Sequence, residues 1–319
     1  MKVVSFVHHW VEELRARLDP SISFVAVDSD DTAARDRELA DADVVFTYVF
    51  DRAMGRACRR LRLVLCAAAG TERIDRAALP AGARVVNSAG PEIPMAEYVI
   101  GMLVALRQNV VRADRALREG RWAQGFTDEG SFVGELFGSH LALVGFGRVG
   151  QQTAARAHAF GMTCRAVTMR PAAAKPFAEL LERLDRLQDP AAVDELFAWA
   201  DAVVLCCELS DVTRGLADRR RLELMKPTAV LVNVARGAIA VEKDLFESLR
   251  DRRIAGAALD VWYAYPEKPG EIVPPSAFPF HQLDNVIMTP HSSAWTLGHK
   301  TRKLAFWASE LQNLARELG

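Results

Sequence analysis

The chain has 319 residues, half of them apolar, and carries 40 lysines and arginines against 41 aspartates and glutamates. A balance this close to neutral leaves no electrostatic footprint for DNA, RNA or an anionic membrane surface, and the length suits two domains with cores of ordinary size. No apolar run approaches the roughly 20 residues of a membrane span and the run 3–7 is too short for a signal-peptide core, so the expected location is the cytoplasm.

Taken in chain order, the apolar runs 2–7, 24–27, 43–47, 61–66 and 84–87 read as short strands, with helical patterns at 9–18 and 33–39 between them. That alternation implies a parallel α/β sheet. His8 and His9 close the first strand and read as structural residues. A long apolar helix is expected over 95–118, opened by Pro91 and Pro94 and ended by Gly120. It carries the chain to a second domain. After the glycine-containing segment 125–138, a second alternating series places strands at 141–144, 165–168, 202–206, 229–233, 255–259 and 285–288. Strands of this number make a complete doubly wound sheet. The last helix, 296–318, begins after that sheet is finished and is expected to return to the first domain. The cysteines Cys58, Cys66, Cys164, Cys206 and Cys207 show neither Cys-x-x-Cys nor His-x-x-x-His spacing, so they read as small buried hydrophobes and no metal site is expected.

The second series opens on Leu141-Ala-Leu-Val-Gly-Phe-Gly-Arg-Val-Gly150, an apolar strand followed by Gly145-x-Gly147-x-x-Gly150 and then the helical segment 151–160. A strand, a glycine turn and a helix in that order form a dinucleotide fingerprint. The turn needs residues without a Cβ, and the helix N-terminus offers free N–H groups to a pyrophosphate. Arg148 and Val149 lie inside this turn and join the glycines as candidate cofactor contacts.

Ligands on open parallel sheets sit beyond the carboxyl ends of the strands. Three polar residues stand there: Arg236 after the strand 229–233, Asp260 closing 255–259, and His291 closing Asn285-Val-Ile-Met-Thr-Pro-His. A guanidinium can hold a carboxylate bidentately and polarise a neighbouring carbonyl, and an imidazole can exchange a proton with that carbonyl oxygen near neutral pH. A nicotinamide cofactor would supply the hydride.

With these motifs on the page, the chain resembles the D-isomer-specific 2-hydroxyacid dehydrogenases, which include phosphoglycerate, glycerate and formate dehydrogenases. The resemblance runs from Ala69-Gly-Thr-Glu-Arg-Ile-Asp75 through Met95-Ala-Glu97, Gly134-Glu-Leu-Phe-Gly138 and the glycine turn to Met225-Lys-Pro, Asn233 to Gly237, Leu259-Asp-Val-Trp262 and Thr289-Pro-His291. It implies two doubly wound parallel-sheet domains. A Rossmann nucleotide domain, 98–293, is inserted into a flavodoxin-like substrate domain made of 1–97 and 294–319. It also implies a homodimer acting on a small 2-oxo or 2-hydroxy acid. By the same resemblance, Arg236 binds the substrate carboxylate and His291 is the acid/base residue. The backbone amides of Ala69, Gly70 and Thr71 hold that carboxylate, and Asp260 contacts the nicotinamide end of the cofactor.

Departures from the family pattern bear on the chemistry. The family's glutamate, which pairs with the histidine and raises its pKa, lies five residues after the aspartate and just before a proline. Tyr265 stands there, before Pro266. A phenol is neutral at pH 7 and offers a hydrogen bond without charge, so His291 is expected to titrate near a free imidazole, about 6.5. Glu267 is the alternative carboxylate. Formate dehydrogenases also lack the glutamate, using a neutral glutamine, which keeps open a formate-like or other unusual hydride donor. A cofactor-gated binding role without turnover, as in the C-terminal-binding protein corepressors, also stays open. At the end of the second nucleotide-domain strand, where an NAD enzyme places an acidic residue, the sequence is Val167-Thr168-Met169-Arg170. Thr168 and Arg170 become candidate ribose contacts, and the cofactor is NADP or NAD, with Arg170 favouring NADP. The segment 91–97 looks one residue short, Glu208 replaces a usual proline, and Trp262, Tyr263, Tyr265 and Trp295 form either an aromatic wall at the site or an interface.

Overall fold

The computed structural model describes residues 1–28, 31–68, 70–88, 90–123, 132–171, 177–268 and 270–319. The chain forms two compact α/β units, Met1–Pro91 with Thr296–Gly319 and Glu92–Trp295.

The smaller unit carries the strands β1 (Lys2–Ser5), β2 (Ser23–Ala26), β3 (Val44–Thr47), β4 (Leu63–Cys66) and β5 (Arg84–Asn87), all parallel and in the order β2-β1-β3-β4-β5. This is a flavodoxin-like order. Its central strands are apolar throughout because both faces are covered. On β1 the side chains alternate between those faces. Val3 packs with Leu304, Trp307 and Leu311 of the C-terminal helix α10 (Leu297–Leu318), and Val4 packs with Leu39 of α2 (Thr32–Leu39) and Met54 of α3 (Arg52–Ala57). The first helix is shorter than the pattern 9–18 suggested: α1 spans Val11–Arg15, and Trp10 caps it in a left-handed conformation, φ 62°.

The larger unit is a seven-stranded parallel sheet of β6 (His140–Val144), β7 (Thr163–Thr168), β8 (Arg183–Arg186), β9 (Ala202–Leu205), β10 (Val230–Asn233), β11 (Gly256–Leu259) and β12 (Val286–Met288). The order is β12-β11-β10-β9-β6-β7-β8. That is the Rossmann order, with its topological reversal between β6 and β9. On β6, Leu141 and Leu143 pack with α4 (Glu92–Arg107) and α6 (Arg148–Ala159), while Ala142 and Val144 face the layer of α7 (Pro190–Trp199), α8 (Arg219–Leu224) and α9 (Glu242–Arg250).

Two further elements differ from the sequence expectation. Strand β8 has the sequence Arg183-Leu-Asp-Arg and carries no apolar run, so alternation did not reveal it. It is an edge strand, bonded on one side to β7, and charged residues suit an edge that must not recruit another chain. The helix expected over 95–118 is broken: α4 ends at Arg107, Asn109 adopts φ 51°, and α5 runs over Val110–Arg118. Asparagine tolerates this left-handed conformation better than other L-residues except in special contexts. Pro94 sits inside the first turn of α4, where its missing N–H is no loss. No helix among the described residues is long and apolar enough to cross a membrane.

The break sets a test of local backbone strain. Asn109→Ala is expected to lower stability by about 1 kcal/mol, because alanine is strained at positive φ, while Asn109→Gly changes it by no more than a few tenths. Thermal melts followed by circular dichroism check this, and equal melting of the two variants would contradict it.

Candidate active site

The glycine turn joins β6 to α6 at the reversal point of the larger sheet. Gly145 has φ +106°, and a Cβ there would lie 2.7 Å from the backbone nitrogen of Cys207, just past β9. At Gly150 a Cβ would lie 2.4 Å from the carbonyl oxygen of Gly145. Both positions therefore need glycine for the turn to close, and Cys206 Sγ adds a contact of 3.1 Å to the Gly145 carbonyl. Gly147 is different. It is the N-cap of α6 with no side-chain cap, and a Cβ on it would meet nothing within 4 Å. The space that glycine leaves open lies over the uncapped helix start, where a pyrophosphate is accommodated in folds of this type. The turn fits a dinucleotide. Arg148, the first residue of α6, is exposed and reaches Glu92 only at 4.0 Å, and Val149 is half-buried beside it.

At the end of β7, Thr168 is buried and its hydroxyl faces the backbone nitrogen of Arg170 at 3.5 Å. Arg170 is exposed. In the ladder Thr168 is opposite Arg186 of β8, a second exposed cation at this strand end.

The three polar residues at the ends of β10, β11 and β12 lie in one electrostatic neighbourhood. Asn233 ends β10 and shapes the turn that carries Arg236: its Oδ1 accepts from the backbone N–H of Ala235 at 3.0 Å, and its Nδ2 donates to the Arg236 carbonyl at 3.1 Å. Asp260, directly after β11, is fully buried and takes three hydrogen bonds. Its Oδ1 accepts from the Thr289 hydroxyl at 2.6 Å and from Ser292 N–H at 2.8 Å, and its Oδ2 accepts from Ser293 N–H at 2.9 Å. These bonds fasten the loop after β12 on both sides of His291, which is held at φ 57°. A left-handed histidine is uncommon and persists where its surroundings fix it.

His291 is exposed, and its Nδ1 lies 3.1 Å from the hydroxyl of Tyr265, so its Nε2 is the ring nitrogen turned to ligands. The Tyr265 oxygen also accepts from Trp262 N–H at 2.9 Å. Partial desolvation of the imidazole pushes the His291 pKa below the ordinary value; the Asp260 carboxylate opposes that, and the Arg236 guanidinium adds to it. The expected value near 6.5 is therefore corrected downward. Burial raises the Tyr265 pKa, so the phenol is neutral at pH 7. The carboxylate that acts on His291 is Asp260 rather than Glu267, whose described contact is from its backbone N–H to Glu271.

Some residues had no distinguishing signal in the sequence. Tyr98, on α4, places its hydroxyl 2.7 Å from the Thr289 hydroxyl, whose own proton goes to Asp260, so Tyr98 donates into the chain that anchors the loop. Inside an apolar helical pattern it is indistinguishable from a core residue. The aromatic wall is also corrected. Trp262 is buried and packs edge-on to Phe280, its indole N–H donates to the Thr289 carbonyl, and the Tyr263 hydroxyl donates to the Ala240 carbonyl. Only Tyr265 and Trp295 are exposed. Gly70 and Thr71 belong to the smaller unit, where the Gly70 carbonyl lies 3.5 Å from Cys66 Sγ and the Thr71 carbonyl accepts from Ile74 N–H. Ala69 lies outside the described residues. All five cysteines are free thiols, and among the described residues no group of three or more His, Cys, Asp or Glu is placed to hold a metal ion.

The family model described as "D-isomer specific 2-hydroxyacid dehydrogenase, NAD binding domain" matches residues 100–293. The chain is 36% identical over 81% of its length to a D-3-phosphoglycerate dehydrogenase of Methanocaldococcus jannaschii, of which it covers 47%. It is 33% identical over 81% of its length to a glyoxylate reductase of Pyrococcus furiosus, of which it covers 75%. The chain thus spans about half the length of the phosphoglycerate dehydrogenases it matches. Its fold is similar to that of an acyclic imino acid reductase solved in complex with NADPH and D-Arg, with a TM-score of 0.80, 22% identity, and coverage of 99% of this chain and 98% of that one.

Two substitutions separate the roles within the site. Asp260→Asn leaves a donor facing the Ser293 N–H and is expected to lower stability by roughly 2–4 kcal/mol in a denaturant melt. Gly147→Ala is expected to melt like the parent protein while weakening NADPH binding in a fluorescence titration. A Gly147→Ala protein that binds NADPH as before would show that the open space is not used.

Proposed function

The chain belongs to the D-isomer specific 2-hydroxyacid dehydrogenase family, and from that premise we propose that it interconverts a D-2-hydroxy acid and its 2-oxo acid. The observation that carries this reading is the placement of His291 by Asp260 within electrostatic reach of Arg236, at the carboxyl ends of a Rossmann sheet. Arg236 holds the substrate carboxylate, together with the backbone amides of Ala69, Gly70 and Thr71. His291 exchanges a proton with the substrate oxygen through Nε2. Gly145, Gly147, Arg148, Val149 and Gly150 hold the cofactor pyrophosphate, Thr168 and Arg170 its adenosine ribose, and Asp260 lies at its nicotinamide end. When bound, the nicotinamide supplies or accepts the hydride.

Tyr265 sets the tautomer of His291. When Nδ1 accepts from the phenol, the neutral ring carries its proton on Nε2, facing the substrate; when the ring is protonated, Nδ1–H donates to the phenol oxygen instead. No charge at Tyr265 favours the imidazolium, and burial disfavours it, so at pH 7 the ring is mainly neutral. Neutral imidazole is the form that accepts a proton from a hydroxy acid, whereas reduction of an oxo acid gains as pH falls toward the His291 pKa. We further propose NADP as the cofactor, supported by Arg170 and Arg186 at the end of β7 with no carboxylate in the 167–170 segment. A homodimer is supported by the exposed Trp122, Phe132 and Phe137 of the larger unit.

Reduction of a panel of 2-oxo acids, followed as loss of NADPH and NADH absorbance, tests the reading. Arg236→Ala is expected to lower kcat/KM by about a hundredfold or more, the loss of a buried bidentate contact, with cofactor affinity nearly unchanged. Tyr265→Glu is expected to move the alkaline limb of the reduction profile upward by about 1 pH unit, because a carboxylate beside Nδ1 favours the imidazolium. An unmoved limb would separate His291 from the proton transfer. A protein that oxidises formate and reduces no 2-oxo acid favours the reaction with less proton transfer, to which the neutral Tyr265 is also suited.

A further inference from the structure

In the smaller unit the order in which strands are added reverses between β1 and β3, which pair in parallel. Ligands on open parallel sheets lie at the carboxyl ends of the strands flanking such a reversal. His9 and Trp10 follow β1 at that end, Tyr48 follows β3, and the Tyr48 hydroxyl lies 2.8 Å from His9 Nε2. Cys66 is the last residue of β4. Helix α10 brings Lys303 to the same aromatic cluster: its Nζ lies 5.6 Å from the ring centre of Trp10 and 4.9 Å from that of Trp307.

Lys303 is only 8% exposed, and among the described residues it has neither an ion-pair partner nor a hydrogen-bond acceptor. Its neighbour Lys300 shows the contrast, lying 5.5 Å from Trp10 but paired with Glu13 at 2.6 Å. A buried ammonium without a counter-ion is unfavourable, and two indole faces offset only part of that. The indole N–H of Trp307 is likewise buried without an acceptor, and buried donors of this kind call for an explanation. The Glu72 carboxylate acts on Cys66, whereas the group that acts electrostatically on Lys303 is the Cys66 thiol. Burial pushes the Cys66 thiol up and the His9 imidazole down, and it lowers Lys303 only to about 8, so the lysine is the charged member of the cluster.

We propose that Lys303 is the anion-recognising residue of a subsite in the smaller unit, and that the subsite takes a carboxylate of a small organic acid. The cluster offers a single positive charge, which balances the one negative charge of a carboxylate but not the nearly two of a phosphate monoester.

Tryptophan fluorescence tests the subsite without turnover, because Trp10 and Trp307 flank the ammonium. Butyrate is expected to change the emission saturably, the uncharged butyramide at least tenfold more weakly, and Lys303→Gln to weaken butyrate binding at least tenfold. Trp10→Phe, which keeps the lysine, identifies the signal if Lys303→Gln does not fold. Equal binding of butyrate and butyramide, or equal butyrate binding by parent and Lys303→Gln, overturns the proposal, and so does tighter binding of inorganic phosphate than of butyrate.

Discussion

The larger unit's site depends on one buried carboxylate. Asp260 accepts three hydrogen bonds from the loop that follows β12, and two of them come from consecutive backbone N–H groups, Ser292 and Ser293. Consecutive amides can converge on one carboxylate only if the chain turns sharply before them, and the residue that makes the turn is His291, in a left-handed conformation. The strained backbone and the buried charge therefore stabilise each other. Without the carboxylate the turn has no reason to form, and without the turn the charge has too few donors. Tyr98 and Thr289 extend the same chain of bonds into α4, so the imidazole is aimed by a helix and two strand ends rather than by a free loop.

The electrostatics of the imidazole follow from that arrangement. Asp260 is close enough to act on His291 but is saturated with donors, and Arg236 works in the opposite sense. With Tyr265 at Nδ1 instead of a carboxylate, burial decides the balance, and the ring favours its neutral form. The phenol keeps the geometric part of a histidine partner's role, fixing the ring and its tautomer, and gives up the electrostatic part. It is in turn fixed by the Trp262 N–H, which makes its orientation independent of the histidine's protonation.

How much of this was legible in the sequence divides along physical lines. Buried parallel strands announce themselves, because both faces demand apolar residues; the strands beside Gly145, Arg236, Asp260 and His291 were all found in this way. Edge strand β8 was not, because an edge buries little and its Arg-Leu-Asp-Arg sequence looks like a loop. The break at Asn109 was hidden because apolar periodicity continues across it and one left-handed asparagine has no composition signal. The motif residues were legible, whereas their partners were not: Tyr98 and the Ser292 and Ser293 amides act through backbone geometry and through contacts distant in sequence. The clustering of aromatic residues near the motifs misled for the same reason, since Trp262 and Tyr263 are recruited to the core and only Tyr265 turns to the histidine.

Asp260 and Tyr265 together hold His291 in place while leaving it uncharged at neutral pH. The most direct measurement is a ¹⁵N NMR titration of the imidazole nitrogens in histidine-labelled protein, with His291→Gln used to assign the signal. The ring is expected to be neutral at pH 7 with its proton on Nε2, and to titrate with a midpoint below the ordinary imidazole value of about 6.5. An imidazolium at pH 7, or a midpoint above that value, would contradict it and would require a negative charge beside Nδ1 that the Tyr265 phenol does not supply.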